Sequence, residues 1–157
     1  LLASKNAHLS LLIARLFSIV GPYLPLDKHF AIGNFIRSAV LNEDIVIHGD
    51  GSPTRSYLYA ADMVVWLLVL LFDGKNEDIF NIGSPEPIPI KELAFIVNEV
   101  VGGTGKVVIK HSEMSSSASN HYIPAVSKFE IAFNIKQHFG LNEAITKTVE
   151  ALHGRHD

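Results

Sequence analysis

The chain has 157 residues, the size of one ordinary domain, and 48% of them are hydrophobic, which is enough to form a buried core. Its 13 basic and 16 acidic residues give a net charge of -3, which excludes the basic surface of a nucleic-acid-binding protein and a polybasic membrane anchor. The lack of cysteine excludes disulfides and thiolate metal sites and fits a reducing, cytoplasmic location.

The first third of the sequence alternates strand and helix patterns. Residues 11–21 are apolar and partly β-branched up to a Gly-Pro pair, which predicts one buried strand. After a proline-punctuated loop at 22–29, one helical face is predicted for Ile32, Phe35, Ile36, Ala39 and Val40. A strand then runs through "DIVIHG" into a glycine turn, and a second short strand is predicted at "RSYLY".

The middle of the sequence contains its longest apolar run, residues 63–72. A bilayer span takes about 20 apolar residues, so the run is too short for one. It predicts instead a helix over 61–73 that is buried on all sides, with Asp62 near its N-terminus.

The remaining half continues the alternation of strands and helices. A strand at "DIFNIG" precedes a helix that ends at Gly102, with an inner stripe of Leu93, Ile96, Val97, Val100 and Val101. A strand at 106–110 leads into a polar loop, and Ser127 with Glu130 matches a capping box. The last helix, 142–152, points Ile145, Thr148, Val149 and Leu152 inward. This order predicts an α/β fold.

A glycine-rich turn between a strand and a helix, which would hold a dinucleotide, is missing from the sequence. The glycines at 102, 103 and 105 follow a helix, so they predict a C-cap. The histidines show no pair at metal-ligand spacing, and we expect no metal site.

Arg55 follows a Gly-Ser-Pro turn and precedes two tyrosines. A guanidinium can bind phosphate oxygens through two parallel hydrogen bonds and keeps its charge when it is dehydrated. The alternative is an ion pair with Asp50 or Asp62. Tyr57 and Tyr59 alternate with Leu58, which is typical of structural aromatic residues on one face of a strand.

Four blocks of the sequence, in order, carry a family likeness: "ARLFSIVGP", "NFIRSAV", "IVIHGDGSPTRSYLYAADMV" and "FNIGSPEPIPIKELAFIVNEVVG". Together they resemble the NAD-dependent epimerase/dehydratase family, the extended short-chain dehydrogenases that modify nucleotide sugars. The likeness is to the second half of that family. It implies the C-terminal part of a Rossmann-type sheet with a small α/β substrate-binding domain over residues 1–157, and an absent N-terminal NAD-binding domain.

The resemblance also implies roles for individual residues. Lys5 stands at the lysine of the family's catalytic Tyr-x-x-x-Lys pair, and Leu1 stands at the tyrosine position. The substrate-binding residues implied are Ser18, Asn34, Val46, His48 and Arg55, with Arg55 on the diphosphate, residues 46–48 at the base, and Ser18 on the sugar or a phosphate. A second arginine that many relatives carry in the late loop has no counterpart in "HSEMSSSASNHY".

Each of these roles has a structural alternative. Lys5 could be a solvated helix lysine, Ser18 a tolerated polar residue at a strand end, Asn34 a solvated residue and His48 a filler at a strand edge.

The expected function is therefore that of a fragment: the half of an NAD-dependent nucleotide-sugar epimerase or dehydratase that binds a nucleoside-diphosphate sugar. The fragment is expected to be inactive alone and to bind no cofactor, because the absent domain holds NAD(H) in the parent enzyme. The alternatives are a non-catalytic nucleotide-sugar-binding module and a structural module. Apolar strand edges at 11–20 and 79–82 predict a homo-oligomer.

Overall fold

The structure, a computed structural model, describes residues 10–28, 30–110 and 121–154. The helices of this part of the chain are α1 Ala31–Val40, α2 Ala60–Asp73, α3 Ile90–Val101, α4 Ser127–Phe133 and α5 Leu141–His153. Its strands are β1 Ile13–Leu16, β2 Ile19–Val20, β3 Ile45–His48, β4 Thr54–Arg55, β5 Leu58–Tyr59, β6 Ile79–Ile82, β7 Ile88–Pro89, β8 Val107–Lys110 and β9 His121–Tyr122. The α/β fold class predicted from the sequence is confirmed.

Most of the strand pairs are parallel. β1 pairs with β6, β2 with β5, and β3 with β8, all in parallel register. β4 is the centre of a three-stranded sheet, antiparallel to β7 and parallel to β9. Parallel strands joined by helices are the arrangement that an alternating sequence pattern predicts.

The single strand predicted at 11–21 is wrong, because the chain changes its pairing partner in the middle of this segment. The backbone N–H of Phe17 still donates to the carbonyl of Ile82, which follows the register of β1 on β6. One residue later, the carbonyl of Ser18 accepts the N–H of Leu58, at the start of β5. The "RSYLY" strand is likewise divided, into β4 and β5.

A larger hydrophobic core joins α1, α3 and α5 to β3. The side chains of Ile36, Ile45, Leu93, Val97 and Ile145 are fully buried in it. The inward faces predicted for these three helices are confirmed in their central residues, and Gly102 ends α3 with a positive φ of 73°, as its C-cap role predicts.

A smaller core joins α2 and α4 to β6. Trp66 stacks on Phe129 with ring centroids 4.3 Å apart, and Phe80 meets Phe129 edge-on. The expectation that α2 is buried on all sides is wrong. One side of α2 packs on β2, β5, β6 and α4, and the opposite side is exposed. Its exposed large apolar residues are Val64, Val65, Leu68, Leu71 and Phe72. No helix among the described residues has the length and apolar character needed to cross a membrane.

The capping box predicted at Ser127 is also absent from the structure. Val126 is the N-cap of α4, and no side chain caps the helix. The carbonyl of Val126 accepts the backbone N–H groups of both Phe129 and Glu130, so the first turn closes through the main chain. Of the polar loop predicted before this helix, residues 111–120 lie outside the described part, and 121–122 form β9.

Candidate functional site

A cavity of about 680 Å³ lies at the carboxyl end of β1, between the start of α1, the end of β3 and strand β4. Its apolar wall consists of Leu16, Phe17, Ile19, Leu24, Pro25, Phe30, Ala31, Ile32, Ile47, Pro53 and Ile90. Its polar side chains are those of Ser18, His48, Arg55, Tyr57 and Tyr122. Ligands of open α/β sheets commonly bind outside the carboxyl ends of the strands, which is where this cavity opens.

A second cavity of about 470 Å³ adjoins the first along β3. It is lined by Asn34 and Val46, and it shares His48, Ile47 and Ile90 with the first cavity. The five described residues that the sequence assigns to substrate binding therefore line two adjoining cavities. His48 lies where they meet.

Ser18 is held in place by its own backbone at the point where the chain leaves β1 for β2. Its carbonyl accepts the N–H of Leu58, and the preceding Phe17 is bonded to the end of β6. A Cβ on Gly83 would lie 2.9 Å from the Cβ of Phe17, so glycine is needed for the close approach of these two strand ends. The backbone of Ser18 is thereby held at the cavity wall.

The loop before β4 needs glycine for a different reason. Gly51 has a φ of 73°, which side-chain-bearing residues rarely adopt, and a Cβ there would lie 2.8 Å from the Cβ of Lys91. Its carbonyl accepts the N–H of Lys91, and the carbonyl of Pro53 accepts that of Ile90. The loop thus covers the start of α3 and leads directly into Arg55.

Arg55 is half-buried on the cavity wall, and its Nη1 donates to the carbonyl of Thr54 at 2.9 Å. The sequence analysis gave Asp50 and Asp62 as alternative ion-pair partners of Arg55. The Oδ1 atom of Asp50 accepts hydrogen bonds from the backbone N–H and the hydroxyl of Ser52. The other, Asp62, is buried, and its Oδ2 accepts the N–H groups of His138 and Phe139. Asp62 therefore has a structural role in fastening α2 to the segment before α5.

Tyr57 is a buried core residue, as its alternation with Leu58 predicts, and it also lines the same cavity as Arg55. Its side chain is buried, and burial raises the pKa of the Tyr57 phenol to about 12, although the charge of Arg55 acts in the opposite direction. A phenol is neutral at physiological pH even at its ordinary pKa of about 10, and burial moves the pKa of Tyr57 further from that range. Residues two positions apart in an extended segment lie on the same face, so the spacing of Tyr57 from Arg55 could have predicted that both line the cavity.

Tyr122 was also missed as a cavity residue, because the sequence places it at the end of a polar loop. Strand β9 aligns it with Arg55 on β4, and its ring stacks on Phe17 with centroids 4.7 Å apart. Lys5, the predicted catalytic lysine, lies outside the described residues. Within the part of the chain that the structure describes, no group of three His, Cys, Asp or Glu side chains could hold a metal ion.

Residues 1–83, more than half of the chain, match the NAD dependent epimerase/dehydratase family. UDP-glucuronic acid decarboxylase 1 of Arabidopsis thaliana is 28% identical over 96% of this chain and 34% of its own length. UDP-glucuronic acid decarboxylase 6 of the same plant is 34% identical over 74% of this chain and 33% of its own length. The chain thus spans about a third of the length of these curated relatives.

Solved structures show the same fold. UDP-glucose 4-epimerase from Thermotoga maritima, solved with UDP-glucose, superposes with a TM-score of 0.84 and 21% identity over 98% of this chain and 49% of its own. UDP-glucuronic acid 4-epimerase from Bacillus cereus, solved with UDP-glucuronic acid and NAD, superposes with a TM-score of 0.79 and 21% sequence identity. The match covers 96% of this chain and 48% of the epimerase chain. By its sequence match and its fold, the chain belongs to the NAD-dependent epimerase/dehydratase family.

Proposed function

We propose that these 157 residues form the substrate-binding half of an NAD-dependent enzyme that modifies nucleotide sugars, and that they bind a nucleoside-diphosphate sugar in the two adjoining cavities. The observation that carries the proposal is that a half-buried guanidinium, Arg55, and the phenol of Tyr57 line the same cavity. The volume of about 680 Å³ falls within the usual range for small-molecule sites, about 300–1,000 Å³.

In this proposal each part of the ligand meets groups of matching chemistry. Arg55 binds the diphosphate, since a guanidinium suits phosphate oxygens and keeps its charge when water is excluded. Residues Val46–His48 hold the nucleoside where the cavities meet, with Asn34 beside them. Ser18 donates a hydrogen bond to the sugar or a phosphate. Lys5 keeps the predicted role of catalytic lysine in the intact enzyme.

NAD belongs to the proposal through the family, and the B. cereus relative was solved with it. A Rossmann domain binds NAD through a glycine-rich turn that leads from a strand into a helix. The glycine cluster that begins at Gly102 follows the end of α3, so it does not have this arrangement. We therefore assign most of the NAD contacts to a Rossmann domain beyond these 157 residues, and hydride transfer with them. A cytoplasmic location stays a prediction.

The test is a calorimetric titration with UDP-glucose and dTDP-glucose. We predict that Arg55→Ala weakens binding by roughly 1.5–3 kcal/mol, the scale of hydrogen bonds to a charged group. Arg55→Lys should recover only part of the loss, because an ammonium keeps the charge without the two-pronged donor geometry.

Arg37→Ala is the matched control, since Arg37 is exposed, lies 3.5 Å from Glu43 and lines neither cavity of the proposed site. Equal affinity of the Arg55→Ala variant and the wild type would contradict the role of Arg55. If the folded wild-type protein binds neither nucleotide sugar, the proposed function is wrong, and a structural or assembly role takes its place.

A further inference from the structure

The sequence contains two Asp-Gly pairs, Asp50-Gly51 and Asp73-Gly74. Such a pair can isomerise when the glycine nitrogen attacks the carboxyl carbon of the aspartate. A C–N bond forms, the carboxyl C–O bond breaks, and the hydroxyl leaves with the N–H proton as water, which gives a cyclic succinimide. A second water opens the ring at either carbonyl and yields aspartate or isoaspartate. The reaction therefore needs no reagent other than water, but it needs a glycine nitrogen that can reach the carboxyl carbon.

The loop before β4 turns the carboxyl group of Asp50 back over the following peptide. Its Oδ1 accepts the backbone N–H of Ser52 at 2.9 Å and the Ser52 hydroxyl at 2.8 Å. The first of these bonds forms an Asx turn, and the ring that this bond closes contains the Gly51 nitrogen. The carboxyl carbon of Asp50 is thus held close to the atom that would attack it. Asp50 is exposed, so water reaches the group.

The nitrogen of Gly51 is not held by the fold. The carbonyl of Gly51 accepts the N–H of Lys91, whereas its own N–H donates to no acceptor among the described residues. A hydrogen-bonded peptide would have to break that bond before its nitrogen could turn toward the carboxyl carbon, and this peptide has no such bond to break. Gly51 also has no side chain to hinder the approach.

The second pair is held by the end of a helix. Asp73 is the last residue of α2, and the N–H of Gly74 donates to the carbonyl of Leu70 at 3.1 Å. Ring formation at Asp73 would break this bond and open the last turn of α2. Asp73 is exposed like Asp50, so the two pairs differ in their backbone and not in their access to water.

We propose that Asp50 is a site of isoaspartate formation in the folded protein and that α2 protects Asp73. Isomerisation moves the Cβ atom of Asp50 into the main chain directly before Gly51, which lengthens the loop. Gly51 has no room to accept this change, because a Cβ there would already lie 2.8 Å from the Cβ of Lys91. The modified loop must move away from the start of α3, and the first cavity changes with it, since Gly51 lines that cavity.

The test is to incubate the folded protein at physiological temperature and mildly acidic pH, with a parallel sample unfolded in urea. Peptide mapping separates isoaspartyl from aspartyl peptides of equal mass, and an isoaspartyl methyltransferase labels only the former. In the folded protein we expect about tenfold more isoaspartate at position 50 than at position 73, the factor that one backbone hydrogen bond provides. In urea we expect similar amounts at both positions, because both aspartates precede glycine.

Asp50→Glu is the matched variant. It keeps the carboxylate, but its ring would have one more atom and would close far more slowly. The variant should show no isomer at position 50 and an unchanged amount at position 73.

Equal amounts at the two positions of the folded protein would mean that the Asp-Gly sequence alone sets the rate, and the inference would be wrong. An absence of isoaspartate at position 50 of the folded protein would overturn it as well, whatever the urea sample contains. The proposed function is tested separately: if the expected difference appears in a protein that binds no nucleotide sugar, the inference stands and only the proposed function is lost.

Discussion

The apolar core around Tyr57 raises the pKa of its phenol, which is protonated at physiological pH in any case. Burial raises its pKa from 10.0 to about 12, and the nearby Arg55 reduces the shift without cancelling it. A tyrosine hydroxyl is protonated at any physiological pH, so a phosphate beside Tyr57 would meet a hydroxyl rather than a phenolate. The same shift ties the stability of the fold to alkaline pH.

We predict that stability falls between about pH 10 and pH 12, partly through Tyr57. Below pH 10 the phenol is protonated in the folded and unfolded states, and its contribution to stability is complete. Between the two pKa values the unfolded chain loses the proton first, so the free energy of unfolding decreases as pH rises. Across this range the wild type should lose about 2–3 kcal/mol more than Tyr57→Phe in urea denaturation. Parallel curves for the two proteins would assign the loss to other groups.

At the scale of single residues, the sequence predicted cavity residues where one short segment carries the recognisable motif. Ser18, His48 and Arg55 stand in short blocks, and all three line the first cavity. Tyr122 could not be found in this way, because its place depends on the pairing of β4 with β9, which no local pattern specifies. The alternation around Tyr57 predicted its structural place but not that it lines the cavity, because alternation describes a strand face and not what that face meets.

At the scale of elements, the periodic helices were predictable and the strand boundaries were not. The faces of α1, α3 and α5 follow from the spacing of their apolar residues, because one side of each packs on the larger core. The apolar run of α2 has no polar side, so its sequence cannot reveal which side the fold covers. The division between β1 and β2 depends on which distant strand accepts each backbone group.

Asp62 links two of these elements, and its removal should be costly. The buried carboxylate of the first turn of α2 accepts the N–H groups of His138 and Phe139, ahead of α5. We predict that Asp62→Ala lowers the free energy of unfolding by about 2–3 kcal/mol, because two part-buried backbone donors lose their carboxylate acceptor. Asp62→Asn should cost less than half of that, since its amide oxygen can still accept.

Urea denaturation of both variants measures these losses. Asp73→Ala, at the exposed C-terminal end of the same helix, is the control and should change the free energy of unfolding by less than about 0.5 kcal/mol. A cost for Asp62→Ala no larger than that of the control would show that water replaces the carboxylate.

At the scale of the whole molecule, the two cores differ in how completely they are covered. The larger core is enclosed by α1, α3 and α5, whereas the smaller one leaves the outer side of α2 bare. This apolar face of α2, formed by Val64, Val65, Leu68, Leu71 and Phe72, has two residues, Leu71 and Phe72, more than 70% exposed. Sequence predicted exposed apolar surface at the strands of the smaller core, and Leu16 and Ile79 do contribute, but the helix presents more of it.

An apolar face of this kind is typical of an interaction surface, so we predict that the protein self-associates through α2. Leu68 and Phe72 are four residues apart and lie on the same side of the helix. Replacing both with lysine should raise the Kd for self-association at least about a hundredfold, since each buried side chain contributes about 1.5–3 kcal/mol. Sedimentation over a range of concentrations measures this Kd, with Phe95→Lys on α3, a half-exposed residue outside this face, as the control.

A wild type that sediments as a monomer at high concentration would contradict the prediction. If Phe95→Lys weakens self-association as much as the double variant does, the effect is not specific to the apolar face of α2, and the prediction is wrong.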